Sequence, residues 1–287
     1  MVNRLPRTVR LEIQHQLEQA GLESARWESR VLVETVLELS GGQPFPETPL
    51  TPAQLERLET MTARRCAHEP LQYLCGTWEF FGLPFAVGPG VLIPRQDTET
   101  LVETVLELRR ETSSTRLLDL CSGSGCIPAA ISAHLSGVTG DCVELSPQAL
   151  PYLRRNLSRL APDLQVVAGD VCSPPPELLQ KQYDVITSNP PYLTAEDMTH
   201  LQPEVTHEPE QALFGGGDGL AFYRTLTPLW KPCLAEGGWL VYEAGMGQAE
   251  SVLQILEENG FVRCCIVPDL AGIPRVILGA AAEKSSK

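Results

Sequence analysis

The sequence predicts an α/β fold in which a seven-stranded, mainly parallel sheet carries helices on both faces and follows a small helical domain. Three observations point to it. From Arg116 onward, short apolar runs alternate with helical stretches at the spacing of βαβ units. A turn of small residues, Ser122-Gly123-Ser124-Gly125, comes straight after the first of those runs and opens a helix. Before residue 73 there is no such alternation, and apolar residues recur at helical spacing instead.

In the helical part, Val9, Ile13 and Leu17 share one face ahead of Gly21, a helix stop. A second helix is expected from about Ala25 to Leu39, ending at Gly41-Gly42, with Gly41-Gly42-Gln43 read as a C-cap and turn. The third has the clearest start: Thr51 as N-cap, Pro52 at the first helical position, Gln54 completing a capping box, and Leu50 and Leu55 placed to staple the entry. Residues 1–72 are expected to form one helical domain.

From Tyr73 to Val87 the pattern turns aromatic and β-branched, broken by Gly82-Leu83-Pro84. This predicts a β-hairpin, with residues 73–90 linking the domains. Leu92 to Glu99 follow, then a helix from about Thr98 to Arg110, an order that lays this segment across the mouth of a pocket. Strands are expected at Arg116–Leu120, Cys142–Glu144, Gln165–Ala168, Tyr183–Ser188, Gly238–Glu243, Phe261–Val267 and Pro274–Leu278. The sheet domain is expected over 91–282, with 283–287 a flexible tail. One local conflict arises: Ser146-Pro147 starts a helix, yet Pro151 falls four residues into it, so the helix begins later or is kinked.

Composition narrows the function classes. The 287 residues carry a net charge of −14, from 36 acids against 22 bases, and the arginine pairs at 64–65, 109–110 and 154–155 are isolated. A chain so charged repels a phosphate backbone, so no direct nucleic-acid partner is expected. No apolar run approaches the roughly 20 residues that span a bilayer, and the arginines of the first ten residues are not followed by an apolar stretch. Neither membrane nor secretion is expected. Nine cysteines without a Cys-x-x-Cys spacing read as small apolar residues of a reducing, cytoplasmic compartment. Five histidines show no metal-ligand spacing, and no metal is expected.

Asp119-Leu120-Cys121-Ser122-Gly123-Ser124-Gly125 lets a ligand approach the backbone closely, but no Lys-Ser/Thr follows as a phosphate loop requires, and Gly-x-Gly-x-x-Gly is absent. Glu144 closes the next strand at the distance where an acid takes ribose hydroxyls. Asp170-Val171 close the third, placed to accept from an adenine amino group and to contact the ring. Together these describe a nucleoside pocket without a phosphate clamp.

Asn189-Pro190-Pro191-Tyr192 leave the fourth strand. Two prolines remove two N–H donors, so this loop offers acceptors: backbone carbonyls and the Asn189 side-chain oxygen. That suits a ligand bringing only donors, an –NH2 group whose hydrogens go to Asn189 and the Pro190 carbonyl, with Tyr192 supplying a flat face. A phosphate-free nucleoside beside an –NH2 site points to S-adenosylmethionine as methyl donor, leaving as S-adenosylhomocysteine.

With these residues the chain resembles the HemK-type protein-(glutamine N5) methyltransferases, which methylate the glutamine of the Gly-Gly-Gln motif in class 1 peptide chain release factors. The likeness runs through Glu69-Pro70-Leu71-Gln72-Tyr73-Leu74, Val91 to Arg95, Thr98-Glu99, the Gly123/Gly125 loop, Asn189 to Leu193, Glu208-Pro209, Gly216 to Leu220 and Asp269 to Gly272. It implies a Rossmann-like class I S-adenosylmethionine-dependent methyltransferase domain, a helical N-terminal domain that helps hold the protein substrate, and a release factor as partner. Cys121, Glu144, Val171 and Gln96-Asp97 differ from the family's usual residues, which are glycine, aspartate, an aromatic and Pro-Glu. A ribosomal-protein glutamine and adenine N6 of nucleic acid are the alternative substrates for the same loop, and a cofactor-binding module without activity is the alternative from another class.

Overall fold

The computed structural model describes residues 4–283, so the expected tail from 284 on lies outside the described residues, as do residues 1–3. The chain forms two compact units, residues up to Thr77 with Gln202–His207, and Trp78–Leu201 with Glu208 onward.

The first unit holds four helices: α1 (Pro6–Gln19), α2 (Ala25–Leu37), α3 (Pro52–Cys66) and the one-turn α4 (Leu71–Cys75). Val9, Ile13 and Leu17 of α1 are buried, as are Leu32, Val33 and Val36 of α2 and Leu58 and Met61 of α3. The capping box forms as expected: the Gln54 N–H donates to Thr51 Oγ1 at 3.3 Å and the Thr51 N–H to Gln54 Oε1 at 2.9 Å. The α2 helix stops two residues early because Glu38 turns left-handed, at φ 54°. Gly41-Gly42-Gln43 is a turn, with the Gly42 N–H on Glu34 Oε1 at 3.2 Å. At the centre of this unit the Arg65 guanidinium forks onto Glu28, at 2.6 and 3.1 Å, and reaches Glu204 of the 202–207 segment at 3.0 Å.

The second unit opens with the hairpin β1 (Thr77–Phe80) and β2 (Leu83–Ala86). It starts four residues later than expected, because residues 71–75 wind into α4. Its turn is Phe81-Gly82, both at positive φ (51° and 71°), which leaves Leu83-Pro84 inside the strand. Then come α5 (Glu99–Leu108), β3 (Thr115–Leu120), α6 (Cys126–His134), β4 (Val138–Glu144), α7 (Leu150–Leu160), β5 (Leu164–Ala168) and β6 (Tyr183–Ser188). The chain closes with α8 (Ala221–Trp230), β7 (Leu234–Glu243), α9 (Ala249–Glu258), β8 (Phe261–Pro268) and β9 (Pro274–Ala281). The helix after β4 begins at Leu150, so Pro151 falls in its first turn, where a proline costs no hydrogen bond.

The sheet runs β5-β4-β3-β6-β7-β9-β8, and β9 is the one strand that opposes the rest. Alternate residues of each strand feed two cores. Leu117, Val185 and Val241 face α5, α6, α7 and the hairpin, while Leu118, Ile186 and Leu240 face α8 and α9 through Tyr223, Leu226, Trp230, Val252 and Leu256. Among the described residues no helix is long and apolar enough to cross a membrane.

Candidate active site

Strand order reverses between β3 and β6, whose last residues, Leu120 and Ser188, pair in register. Open α/β sheets form a crevice at such a point, and here a cavity of about 320 Å³ opens between the two loops that leave these strands.

The loop after β3 is held from three sides. The Ser122 N–H donates to the Val143 carbonyl at 3.0 Å, and the Gly123 N–H to Glu144 Oε2 at 2.7 Å. Buried Asn156 of α7 donates to the Ser124 carbonyl at 2.9 Å while its side-chain oxygen accepts the Ala86 N–H at 2.8 Å. Gly125, at φ 78°, lets α6 start against α7: a Cβ there would lie 2.7 Å from Leu153 Cδ1. Cys121 adopts φ 60°, the conformation in which a glycine carries no steric penalty.

Cys121, Ser122, Gly123 and Ser124 line the cavity, and so do Glu144, Asp170, Val171, Asn189 and Pro191. Glu144 takes the Gly123 N–H on one oxygen and the Ser146 N–H on the other, both at 2.7 Å. Each oxygen keeps a second lone pair for a further donor. Asp170 Oδ1 accepts the Cys172 N–H at 2.8 Å, and the Val171 carbonyl is fixed by the Trp230 indole N–H at 2.9 Å.

Four expected site residues stand away from the cavity wall: Asp119, Gly125, Pro190 and Tyr192. Asp119 points within the sheet, accepting from the Thr187 hydroxyl at 2.6 Å, with Oδ2 unbonded. Burial, more than the nearby Glu144, pushes its carboxyl up to about 7. The Tyr192 ring packs on the α8/α9 side of the sheet, and its carbonyl accepts the Gln248 side-chain N–H at 2.9 Å. Burial raises its phenol.

Of the segment 92–99 expected across the pocket mouth, Leu92 to Arg95 and Thr98 line the cavity, with Val91 before them, while Gln96, Asp97 and Glu99 do not. The segment is tied down by Glu208, which accepts the Ile93 N–H at 2.9 Å and pairs with the Arg95 guanidinium. Two groups near Asn189 lie outside the expected site residues: Thr98, marked in the sequence only as part of the segment at the pocket mouth, and Glu243, not singled out there at all. Thr98 Oγ1 lies 3.4 Å from Asn189 Nδ2. Glu243, 1% exposed at the end of β7, has Oε2 without a partner, and its carboxyl is pushed up to about 7 by burial. The signal was present: Glu243 ends an apolar strand just as Glu144 does.

Residues 96–222 match the methyltransferase small domain family, and residues 8–76 match the PrmC N-terminal domain family. Among solved structures, the hMettl16 catalytic domain in complex with MAT2A 3′UTR hairpin 6 superposes with a TM-score of 0.57, at 17% identity over 82% of this chain and 84% of that one. Fold and domain match define an S-adenosylmethionine-dependent methyltransferase. The release factor glutamine methyltransferase of Geobacter sulfurreducens is 42% identical over 266 residues, 92% of either chain. That of Thermodesulfovibrio yellowstonii is 38% identical over 257 residues, 88% of this chain and 91% of its own. The chain belongs to the release factor glutamine methyltransferase family.

Proposed function

We propose that the protein transfers the methyl group of S-adenosylmethionine to the side-chain amide nitrogen of the glutamine in the Gly-Gly-Gln motif of class 1 peptide chain release factors. The observation that carries this reading is one cavity with two kinds of acceptor on its wall: strand-end carboxylates at Glu144 and Asp170, and the donor-poor loop of Asn189 and Pro191.

The wall chemistry fits the methyl donor. Its acids face a single lining base, Arg95, which is already paired with Glu208. A cationic nucleoside without phosphate suits such a wall, and a pyrophosphate would be repelled. Glu144 offers lone pairs to ribose hydroxyls, Asp170 to the adenine amino group, and Val171 an apolar contact for the ring. When bound, the donor supplies an electrophilic methyl on a sulfonium.

An amide nitrogen is a weak nucleophile because its lone pair is delocalised. Asn189 Oδ1, on the cavity wall, would accept one of its N–H groups, and the Pro190 carbonyl, which lies off that wall in the free protein, would accept the other only once the substrate is seated in the loop; together they orient the nitrogen and favour the positive charge that grows on it. The nitrogen then sheds a proton to water. Residues 8–76, matched by the family's N-terminal domain, are read as the part that holds the protein substrate. The nine cysteines, free in the structure, accord with a cytoplasmic protein acting on a translation factor.

Transfer of labelled methyl to purified release factor tests this, with a Gly-Gly-Ala variant, ribosomal proteins and DNA alongside. Label that vanishes with the glutamine is the expected result. Label on ribosomal proteins or DNA alone would keep the loop chemistry and overturn the substrate.

A further inference from the structure

Residues 41–43 read Gly-Gly-Gln, the tripeptide that the proposed reaction modifies, and of the fifteen glutamines in the chain only Gln43 follows two glycines. The sequence places the tripeptide at a helix end, as a cap and turn. The structure gives it another setting. Because Glu38 is left-handed and α2 stops at Leu37, residues 41–43 stand clear of the helix as a turn, and all three are exposed.

The turn is held through its backbone. The Gln43 N–H donates to the Ser40 carbonyl at 3.2 Å, the Arg30 guanidinium to the Gln43 carbonyl at 2.9 Å, and the Gly42 N–H to Glu34 Oε1 at 3.2 Å. None of these bonds uses the Gln43 carboxamide, which takes no partner among the described residues. Nothing lies within 4 Å of where a Cβ on Gly41 or Gly42 would stand, so the turn is bare on both sides, and Pro44 brings no N–H. A primary amide thus projects from a fixed, narrow support. The cavity accepts a group of that kind: its donor-poor loop takes the two N–H groups of an –NH2, and glycines before the glutamine let the backbone come close to a rim that side chains would hold off.

We propose that Gln43 is a modification site: one copy of the protein methylates the Gln43 side-chain nitrogen of another. The inference rests on the proposed Gly-Gly-Gln specificity and adds a second protein substrate, this chain itself. In the transfer the Gln43 nitrogen bonds to the methyl carbon, the carbon–sulfur bond breaks with its electron pair left on sulfur, and the nitrogen gives a proton to water. Two copies, each of net charge −14, repel one another, so their encounter is slow and quickens when salt screens the charges.

Tandem mass spectrometry of the full-length protein after incubation with S-adenosylmethionine tests this. The expected result is one added methyl on Gln43 and none on the other glutamines. Gln43→Ala should lose the mark and methylate release factor at the wild-type rate. An Asn189→Ala protein labelled with ¹⁵N, whose peptides separate by mass, should stay unmarked alone and gain the methyl on Gln43 when mixed with unlabelled wild type, faster at higher salt. An unmarked Gln43 in a preparation that methylates release factor overturns the proposal and leaves the release factor reading standing. A mark on the wild type that never reaches the labelled acceptor overturns transfer between copies. A mark on Gln43 in a preparation that leaves release factor unmodified supports the proposal and overturns the choice of release factor. A preparation that binds cofactor and marks neither protein overturns both.

Discussion

The Gly123 N–H and Glu144 Oε2 meet at 2.7 Å, joining the loop after β3 to the end of β4 across 21 residues. The same carboxylate takes the Ser146 N–H, so one side chain shapes two stretches of cavity wall. Glu144→Ala frees both donors and removes the acid proposed for the ribose. Hydrogen bonds to a charged group are worth about 1.5–3 kcal/mol each, so cofactor Kd should rise roughly 10–100-fold by titration calorimetry. An unchanged Kd would remove Glu144 from the binding site.

Asn189→Ala separates catalysis from cofactor binding. Asn189 borders the cavity, and its side-chain nitrogen donates to Thr98 Oγ1 at 3.4 Å. The variant should lose at least about 10²-fold in kcat, the scale for removing one oriented charge-stabilising partner. Cofactor should still bind. Turnover at the wild-type level would end the role assigned to this residue.

Two buried acids make stability depend on pH. Burial raises Glu243 from 4.5 to about 7 and Asp119 from 3.8 to about 7. An acid whose folded value is raised binds its proton more tightly when folded. Stability is therefore highest below the unfolded value and falls as pH rises toward 7, where the folded group ionises as well. Glu243 faces Arg275 of β9, which opposes the shift, and Asp97, which adds to it; Tyr192, Tyr223 and Cys126 are its other titratable neighbours. Glu243→Gln should melt higher than wild type at pH 8, with the gap closing by pH 4.5. A gap that widens on acidification would reverse the assignment.

In the helical unit, Arg65 and Glu28 have side chains only 6% and 9% exposed. Arg65→Ala strands the Glu28 carboxylate, at a cost of about 3–5 kcal/mol for breaking a buried pair. Replacing both partners by Met and Leu should recover most of it. Urea unfolding read by hydrogen exchange in α2 and α3 checks this, and a loss below about 1 kcal/mol, the range of exposed pairs, would show the pair to be solvated.

Much of the fold was legible because apolar alternation and caps are local signals. Thr51 and Gln54 announce α3, and each strand core shows in its own run of residues. What escaped depends on partners distant in sequence. The α4 helix sits in an aromatic stretch that reads as strand, and only the positive φ of Phe81 and Gly82 fixes where the hairpin turns. The loop Asn189-Pro190-Pro191-Tyr192 announces its chemistry through composition, but which of its residues border the cavity is set by packing: Tyr192 turns toward the α8/α9 core. Asn156 and Glu208 position the cavity wall from 32 and 115 residues away, a distance that no periodicity reports.

That packing offers a last test away from the polar groups. Gly215 lies against the loop exit: its N–H donates to the Leu193 carbonyl at 2.9 Å, and a Cβ built on it would fall 2.6 Å from both the Pro191 carbonyl oxygen and Tyr192 Cα. Both atoms belong to backbone, so no rotamer change relieves the clash. In Gly215→Ala the loop must shift by several tenths of an ångström, carrying the acceptors that are proposed to orient the amide. Because misplacement on the order of 1 Å can cost about 10²-fold, kcat should fall about 10-fold or more. Cofactor Kd should stay within about threefold, since the strand-end carboxylates are untouched. The melting temperature, taken in parallel, separates this from unfolding. A variant with normal kcat would show that the loop adapts and that catalysis tolerates its displacement.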